Sequence, residues 1–91
     1  MTSYLEGLFL DNCGLDDNDV TQLCTALHDN TSLEYLDLGS NHITDIGVQS
    51  VVSSLNTLTN MEGLDLQGNQ YGEESRLLLE SQLAHIPLLY V

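Results

Sequence analysis

The chain contains no lysine, and Arg76 is its one strongly basic residue. Against it stand 14 Asp and Glu, which puts the net charge at −13 with histidine neutral. That balance excludes an electrostatic DNA or RNA binder, because such binding rests on Lys and Arg neutralising phosphates. Docking on an anionic membrane surface is disfavoured for the same reason. No apolar run approaches the length of a membrane span. The opening Met1-Thr2-Ser3-Tyr4-Leu5-Glu6 has neither the basic region nor the long apolar stretch of a signal peptide. Cysteine is also scarce. With nothing else pointing to secretion, Cys13 and Cys24 read as reduced thiols of a cytoplasmic protein. In that setting the sequon Asn30-Thr31-Ser32 has no glycosylation meaning.

What the chain has in quantity is leucine. The hydrophobic fraction is 42%, too high for a disordered acidic tail. With 91 residues, one small domain is the ceiling, and such a domain buries only about 60–65% of its unfolded surface. The leucines are periodic. Leu5-Glu6-Gly7-Leu8-Phe9-Leu10-Asp11-Asn12-Cys13-Gly14-Leu15 returns 28 residues later as Leu33-Glu34-Tyr35-Leu36-Asp37-Leu38-Gly39-Ser40-Asn41-His42-Ile43. It returns again as Met61-Glu62-Gly63-Leu64-Asp65-Leu66-Gln67-Gly68-Asn69-Gln70-Tyr71. The alternation Leu8-x-Leu10, Leu36-x-Leu38 and Leu64-x-Leu66 is that of a half-buried strand. Val20, Leu23, Cys24 and Leu27 recur as Val48, Val51, Val52 and Leu55, the steps of three and four that form one helix face. Asp16 and Thr44 stand where a side-chain oxygen caps each helix start.

Strand, helix and equivalent strand, repeated, describe an α/β fold: a right-handed βα solenoid with a parallel sheet. Strands stack about 4.8 Å apart and helices about 10 Å, so the strands line the concave face and the helices the convex one. The motif L-x-x-L-x-L-x-x-N/C-x-L, three times in register, resembles the leucine-rich repeat family. The 28-residue period and the Cys/Asn alternation are similar to its ribonuclease-inhibitor-like class, which also occurs in NOD-like receptors and Ran GTPase-activating proteins. The expected repeats are 5–32, 33–60 and 61–88 in a single domain, with a fourth strand starting at 88–91.

Position nine of each repeat is Cys13, Asn41 or Asn69. An inward amide there can satisfy backbone groups where the chain leaves the strand. The cysteine is expected to pack in the same column. The third repeat breaks the pattern, since its helix slots hold Arg76, Leu79, Glu80 and Leu83. The run Leu77-Leu78-Leu79 suggests a helix rotated by about one residue, or one with a second apolar face. The fourth strand is open between two registers, Leu88 at a spacing of 27 and Leu89 at 28. Leu78, Leu88, Leu89 and Val91 are expected to leave apolar surface at the C-terminal end.

No catalytic, cofactor or metal constellation stands out. His28, His42 and His85 lack ligand spacing. The acidic stretch from Asp11 to Asp19 lacks the glycine and glutamate of a calcium loop. Its Asp16, Asp17 and Asp19 fall in a first helical turn, where acids suit the helix dipole. Arg76 is placed to pair with Glu73 or Glu80. The candidate site is the concave face. Outward positions there are Gly7, Phe9 and Asp11, then Tyr35, Asp37 and Gly39, then Gly63, Asp65 and Gln67. Beside them runs an acidic column of Glu6, Glu34 and Glu62. Phe9 and Tyr35 in an acidic field suit a protein partner with a basic surface. The resemblance implies the same, since leucine-rich repeats of this class bind proteins on that face. Two other readings stand beside this one: a piece or subunit of a larger receptor whose ends a partner or a second copy covers, and a non-catalytic enzyme regulator of the inhibitor or GTPase-activator kind.

Overall fold

The computed structural model describes residues 6–30 and 32–91. Leu5, the expected first residue of the opening repeat, and Thr31 of the sequon lie outside them. Seven elements alternate along the chain: β1 (Gly7–Phe9), α1 (Asp17–Leu27), β2 (Tyr35–Asp37), α2 (Asp45–Leu55), β3 (Gly63–Asp65), α3 (Glu73–Gln82) and β4 (Leu88–Tyr90). The strands form one parallel sheet in the order β1-β2-β3-β4. Each strand pairs with the next in sequence, so every crossover carries one helix, as a βα solenoid requires.

The leucine alternation does what its period demands. Leu36, Leu38, Leu64 and Leu66 are at most 2% exposed, beneath the sheet. Full burial of one such side chain contributes about 1.5–3 kcal/mol. From the helices, Val20, Cys24, Leu27, Val48, Val51, Val52 and Leu55 join them in one core. Leu8 on the edge strand β1 and Leu10 just after it pack against that core but stay half-buried.

Position nine holds the turns together. The Asn41 Oδ1 accepts from the backbone N–H of Cys13 (3.0 Å) and Leu15 (2.9 Å) in the preceding turn. Its Nδ2 donates to the carbonyls of Leu10, Leu38 and Gly39. Asn69 repeats this one turn on, accepting from Ile43 N–H and donating to the Leu38 and Leu66 carbonyls. Cys13 does not pack as expected. It is exposed, because no turn lies against its outer side in the described residues, and its thiol reaches only the Asp11 carbonyl. Asn30 is 7% exposed and its side-chain oxygen accepts from Ser32 N–H, so the sequon asparagine is a turn residue.

The helix starts reveal a device that composition alone does not show. α1 carries its own capping box: Asp16 accepts from Asp19 N–H, and Asp19 accepts from Asp16 N–H. Those bonds hold the Asp16 carboxyl below its usual range, the Asp19 N–H most of all. In α2 the third helical position is Gly47, which has no side chain to complete a box. Asp17 of the preceding turn supplies it, accepting from Thr44 N–H (2.7 Å), Thr44 Oγ1 (2.5 Å) and Gly47 N–H (3.0 Å). In α3 the N-cap is Gly72, which has no side chain to cap the helix. Asp45 fills in, accepting from Gly72 N–H (2.9 Å) and Ser75 Oγ (2.6 Å). Thr44, read from sequence as the α2 cap, is that cap: its Oγ1 accepts from Ile46 N–H at 3.4 Å while donating to Asp17 Oδ2.

α3 keeps the orientation of α2 and is not turned by a residue: Ser75, Leu79 and Leu83 take the buried slots of Gly47, Val51 and Leu55, and only the slots of Arg76 and Glu80 leave the core. Ser75, Leu79 and Leu83 are buried and Leu78 is half-buried, while Glu80 and Leu77 are exposed. Arg76 lies on the surface and pairs with both Glu73 and Glu80.

The fourth strand corrects both expected registers. Leu88, Leu89 and Tyr90 pair with Gly63, Leu64 and Asp65, a step of 25. The deleted residues are one turn of chain. In the second repeat, Leu58 N–H bonds the Leu55 carbonyl and Met61 N–H bonds the Leu58 carbonyl, two turns before β3. After α3 a single turn, Ile86 N–H to the Leu83 carbonyl, leads straight into β4. Ile86 therefore fills the buried slot of Leu33 and Met61, at 3% exposure. It follows that Leu89 and Val91 pack against the core and only Leu88 of the expected C-terminal patch is an exposed leucine.

Two tests follow. A Cβ at residue 47 would sit 2.5 Å from Asp17 Oδ1 and 2.7 Å from Ile43 Cγ2. Gly47→Ala should therefore lower stability by roughly 1–3 kcal/mol in urea unfolding, although alanine gains about 1 kcal/mol in helix propensity. Unchanged or raised stability would remove Asp17 from its role. Asp45 is the second case. Its bonds from Ser75 and the Gly72 N–H hold its carboxyl below the usual value of 3.8. A carboxyl depressed in the folded state contributes stability above its unfolded value, and that is lost as pH falls through the folded value. Asp45→Asn should lower the Tm at pH 6, and the gap from the parent should close below about pH 3. A gap that is constant with pH would contradict this.

Candidate functional site

The outer face of the sheet has two columns of side chains, fixed by the strand register. One runs Gly7, Tyr35, Gly63, Leu88, and the other runs Phe9, Asp37, Asp65, Tyr90. Three-residue strands leave room for nothing else.

The two columns differ in kind. In the first, glycines flank the tyrosine. A Cβ on Gly63 would lie 2.9 Å from the Tyr35 ring and 3.6 Å from Leu88 Cβ, so Tyr35 occupies the space that this glycine leaves. In the second, two carboxylates stand side by side between aromatic rings. Asp37 Oδ1 accepts from Gly39 N–H and Asp65 Oδ1 from Gln67 N–H, each at 2.9 Å. These are Asx turns that end the strands. They also fix where the carboxylates point. A Cβ on Gly39 would lie 3.1 Å from Asp37 Oδ1 and 3.6 Å from Asp65 Oδ1. The bonded oxygens of both acids thus lie beside the same buried glycine, with the Gln67 carbonyl at 3.3 Å from the same point.

Between the columns lies a groove of about 130 Å³, lined by Phe9, Tyr35, Asp37, Gly63, Asp65, Leu88 and Tyr90 among others. Phe9 is 67% exposed, Tyr35 41%, Leu88 47% and Tyr90 48%. The structure therefore brings together Phe9, Tyr35, Asp37 and Asp65 of the sequence candidates. Asp11 and Gln67 lie beyond the strand ends and Gln67 does not line the groove. Glu6, Glu34 and Glu62 stand at the other end of the strands, where their backbones are hydrogen-bonded in line: Glu34 N–H to the Glu6 carbonyl, Glu62 N–H to the Glu34 carbonyl. Pro87 takes the next place in that column, so the acidic line stops at β3. Leu88 and Tyr90 were missed in the sequence because their place depends on the 25-residue step.

A larger open cleft of about 560 Å³ lies at the start of α3, lined by Asp45, Gln49, Gly72, Glu73, Glu74, Ser75 and Leu78. Its key acids are already engaged, Asp45 in capping α3 and Glu73 in pairing with Arg76. That guanidinium holds the Glu73 carboxyl below its ordinary value. The cleft is a joint between helices and offers no convergent chemistry.

Among the described residues, no group of three His, Cys, Asp or Glu side chains is placed to hold a metal ion. Among them, too, no helix is long and apolar enough to cross a membrane. The two cysteines are free and differ sharply. Burial in the α1–α2 core pushes the Cys24 thiol up to about 11. At pH 8 only about one Cys24 in a thousand is then a thiolate. A thiol reagent at pH 8 should label Cys13 promptly and Cys24 at least about a hundredfold more slowly, until denaturant is added. Equal native rates would mean that the α1 core opens freely.

Residues 31–73 match the family model described as Leucine Rich repeats (2 copies). No curated protein matches the chain. The matched segment holds β2, α2 and β3, and the asparagine bonds carry its geometry into the turns on either side. The matched segment is thus similar to leucine-rich repeats, and the parallel βα solenoid that continues on either side of it agrees with that family.

Proposed function

We propose that this chain is a non-catalytic protein-interaction module, and that its acidic and aromatic sheet face binds a partner with a basic surface. Leucine-rich repeat domains generally mediate contacts between proteins, which supports the coarser half of this reading. One observation carries the finer half. Four large apolar side chains, Phe9, Tyr35, Leu88 and Tyr90, surround paired carboxylates on a face that has no basic residue. Aromatic anchors in a groove are the residues that dominate protein interfaces. The charge between them sets which partners approach and how fast. Glu6, Glu34 and Glu62 extend that field along one edge, and Asp11 and Gln67 extend the polar rim along the other. In this reading residues 5–91 act as one unit, and the two free thiols suit a reducing, intracellular setting.

The test uses purified proteins of known charge. The chain is immobilised and a panel of basic proteins is passed over it, with acidic proteins as controls. Binding should be confined to basic members. Association should slow severalfold between low and physiological salt, because exposed charges are screened over about 8 Å at 0.15 M. Tyr35→Ala should speed dissociation by about tenfold or more. Binding that survives unchanged in a Tyr35→Ala, Asp37→Lys double variant would rule out this face. A panel with no basic binder would rule out the reading itself.

A further inference from the structure

The reading of the sheet face as a basic-protein site does not say which cation it holds, and the geometry goes further. We propose that Asp37, Asp65 and the rings around them form an arginine subsite, built to hold the guanidinium of one arginine on the partner.

Three observations lead there. The first is electrostatic. Asp37 and Asp65 are register partners on adjacent strands, about 4.8 Å apart along the sheet. Like charges placed directly opposite destabilise a sheet. Among the described residues no cation relieves them, since Arg76 is the only Lys or Arg of the sequence and is bound to Glu73 and Glu80 on α3. The counter-charge comes from outside. A second copy of this lysine-free chain is a poor source, which points to a different protein.

The second is geometric. Each aspartate spends Oδ1 on a backbone N–H two residues on. Neither can swing away without breaking its turn. The two bonded Oδ1 atoms both lie beside Gly39, next to the Gln67 carbonyl, and each carboxylate keeps its Oδ2 for another donor. Two fixed carboxylates at strand spacing match the planar fork of a guanidinium, which can donate to both at once. An ammonium is a point charge with a tighter hydration shell and no such fit.

The third is the wall. Phe9 flanks Asp37 and Tyr90 flanks Asp65 in the same column, and Tyr35 stands in the next. Aromatic faces attract a guanidinium, and such contacts involve Arg more often than Lys. The apolar groove takes the methylene stem.

The experiment is an NMR titration of the ¹⁵N-labelled chain with capped Gly-Arg-Gly, Gly-Lys-Gly and Gly-citrulline-Gly peptides, and with a decalysine peptide. The arginine peptide should shift the Gly39 and Gln67 amides and the Tyr35 and Tyr90 rings. Its apparent affinity should exceed that of the lysine peptide by at least about fivefold, and citrulline, which lacks the charge, should do nothing. An Asp37→Asn, Asp65→Asn variant keeps the oxygen that each turn needs, and its circular dichroism should match the parent. It should lose the arginine response. Equal responses to arginine and lysine peptides would overturn the arginine subsite and leave the basic-partner reading standing. So would an arginine peptide without effect beside a decalysine peptide that shifts the same amides. If neither peptide reaches this face, both readings fall.

Discussion

Each turn of this solenoid leaves backbone groups that it cannot satisfy alone. Where the chain leaves a strand it runs through irregular backbone, and where it enters a helix it exposes unpaired N–H groups. Buried or half-buried, those groups must find partners. The partners come from the adjacent turn. Asn41 and Asn69 serve the strand exits, and Asp17 and Asp45 serve the helix entries. Both pairs recur at 28 residues because the groups they serve recur at 28. The constant period is therefore a hydrogen-bonding requirement as much as a packing one. The leucines supply the larger share of the stabilisation, but leucines alone tolerate a slip that polar ladders forbid.

The same requirement explains the glycines and the left-handed residues. Gly47 is buried in a helix, where glycine is ordinarily a poor choice, because the Asp17 carboxylate occupies the place of its side chain. Asn12, Ser40 and Gly68 share one repeat position and all have positive φ, between 53° and 78°. The turn geometry sets that angle, and only at position 68 is the residue the one that suits it best. A Cβ there would strike the Ser40 backbone at 3.2 Å. Adjacent turns approach closely at this point, so local choice is subordinate to stacking.

Much of this was legible in the residues. Period-two leucines mark the strands, three-four spacing marks the helix faces, and an asparagine at a fixed step from the strand marks the ladder. Three features were not legible. Asp17 reads as an ordinary first-turn acid, because the N–H groups it serves are 27 and 30 residues away. Cys13 shares a column with Asn41 yet is exposed, since the column is buried only where turns press on both sides. The register of β4 was hidden because the lost turn precedes the strand. Ile86 serves both as the end of one turn and as the first buried residue of the next, a double role that spacing arithmetic cannot assign. The candidate site inherits this last difficulty. Phe9, Tyr35, Asp37 and Asp65 follow from the alternation, whereas Leu88 and Tyr90 enter the groove only through the 25-residue step.

The sheet face is what remains when these structural demands are met, and its charge is not incidental to them. Asp37 and Asp65 stop their strands by bonding the backbone two residues on. A serine or asparagine could do that without charge. The aspartates add a repulsion that the fold cannot relax, because the bond that ends the strand also fixes the carboxylate. A freely rotating surface acid would turn to solvent and lose most of its influence on a neighbour. Here orientation is held by the backbone, so the field of this aspartate pair is a fixed property of the scaffold. A preorganised charge of this kind does little for the free chain. It acts when a cation arrives, since no side chain must then be ordered to receive it.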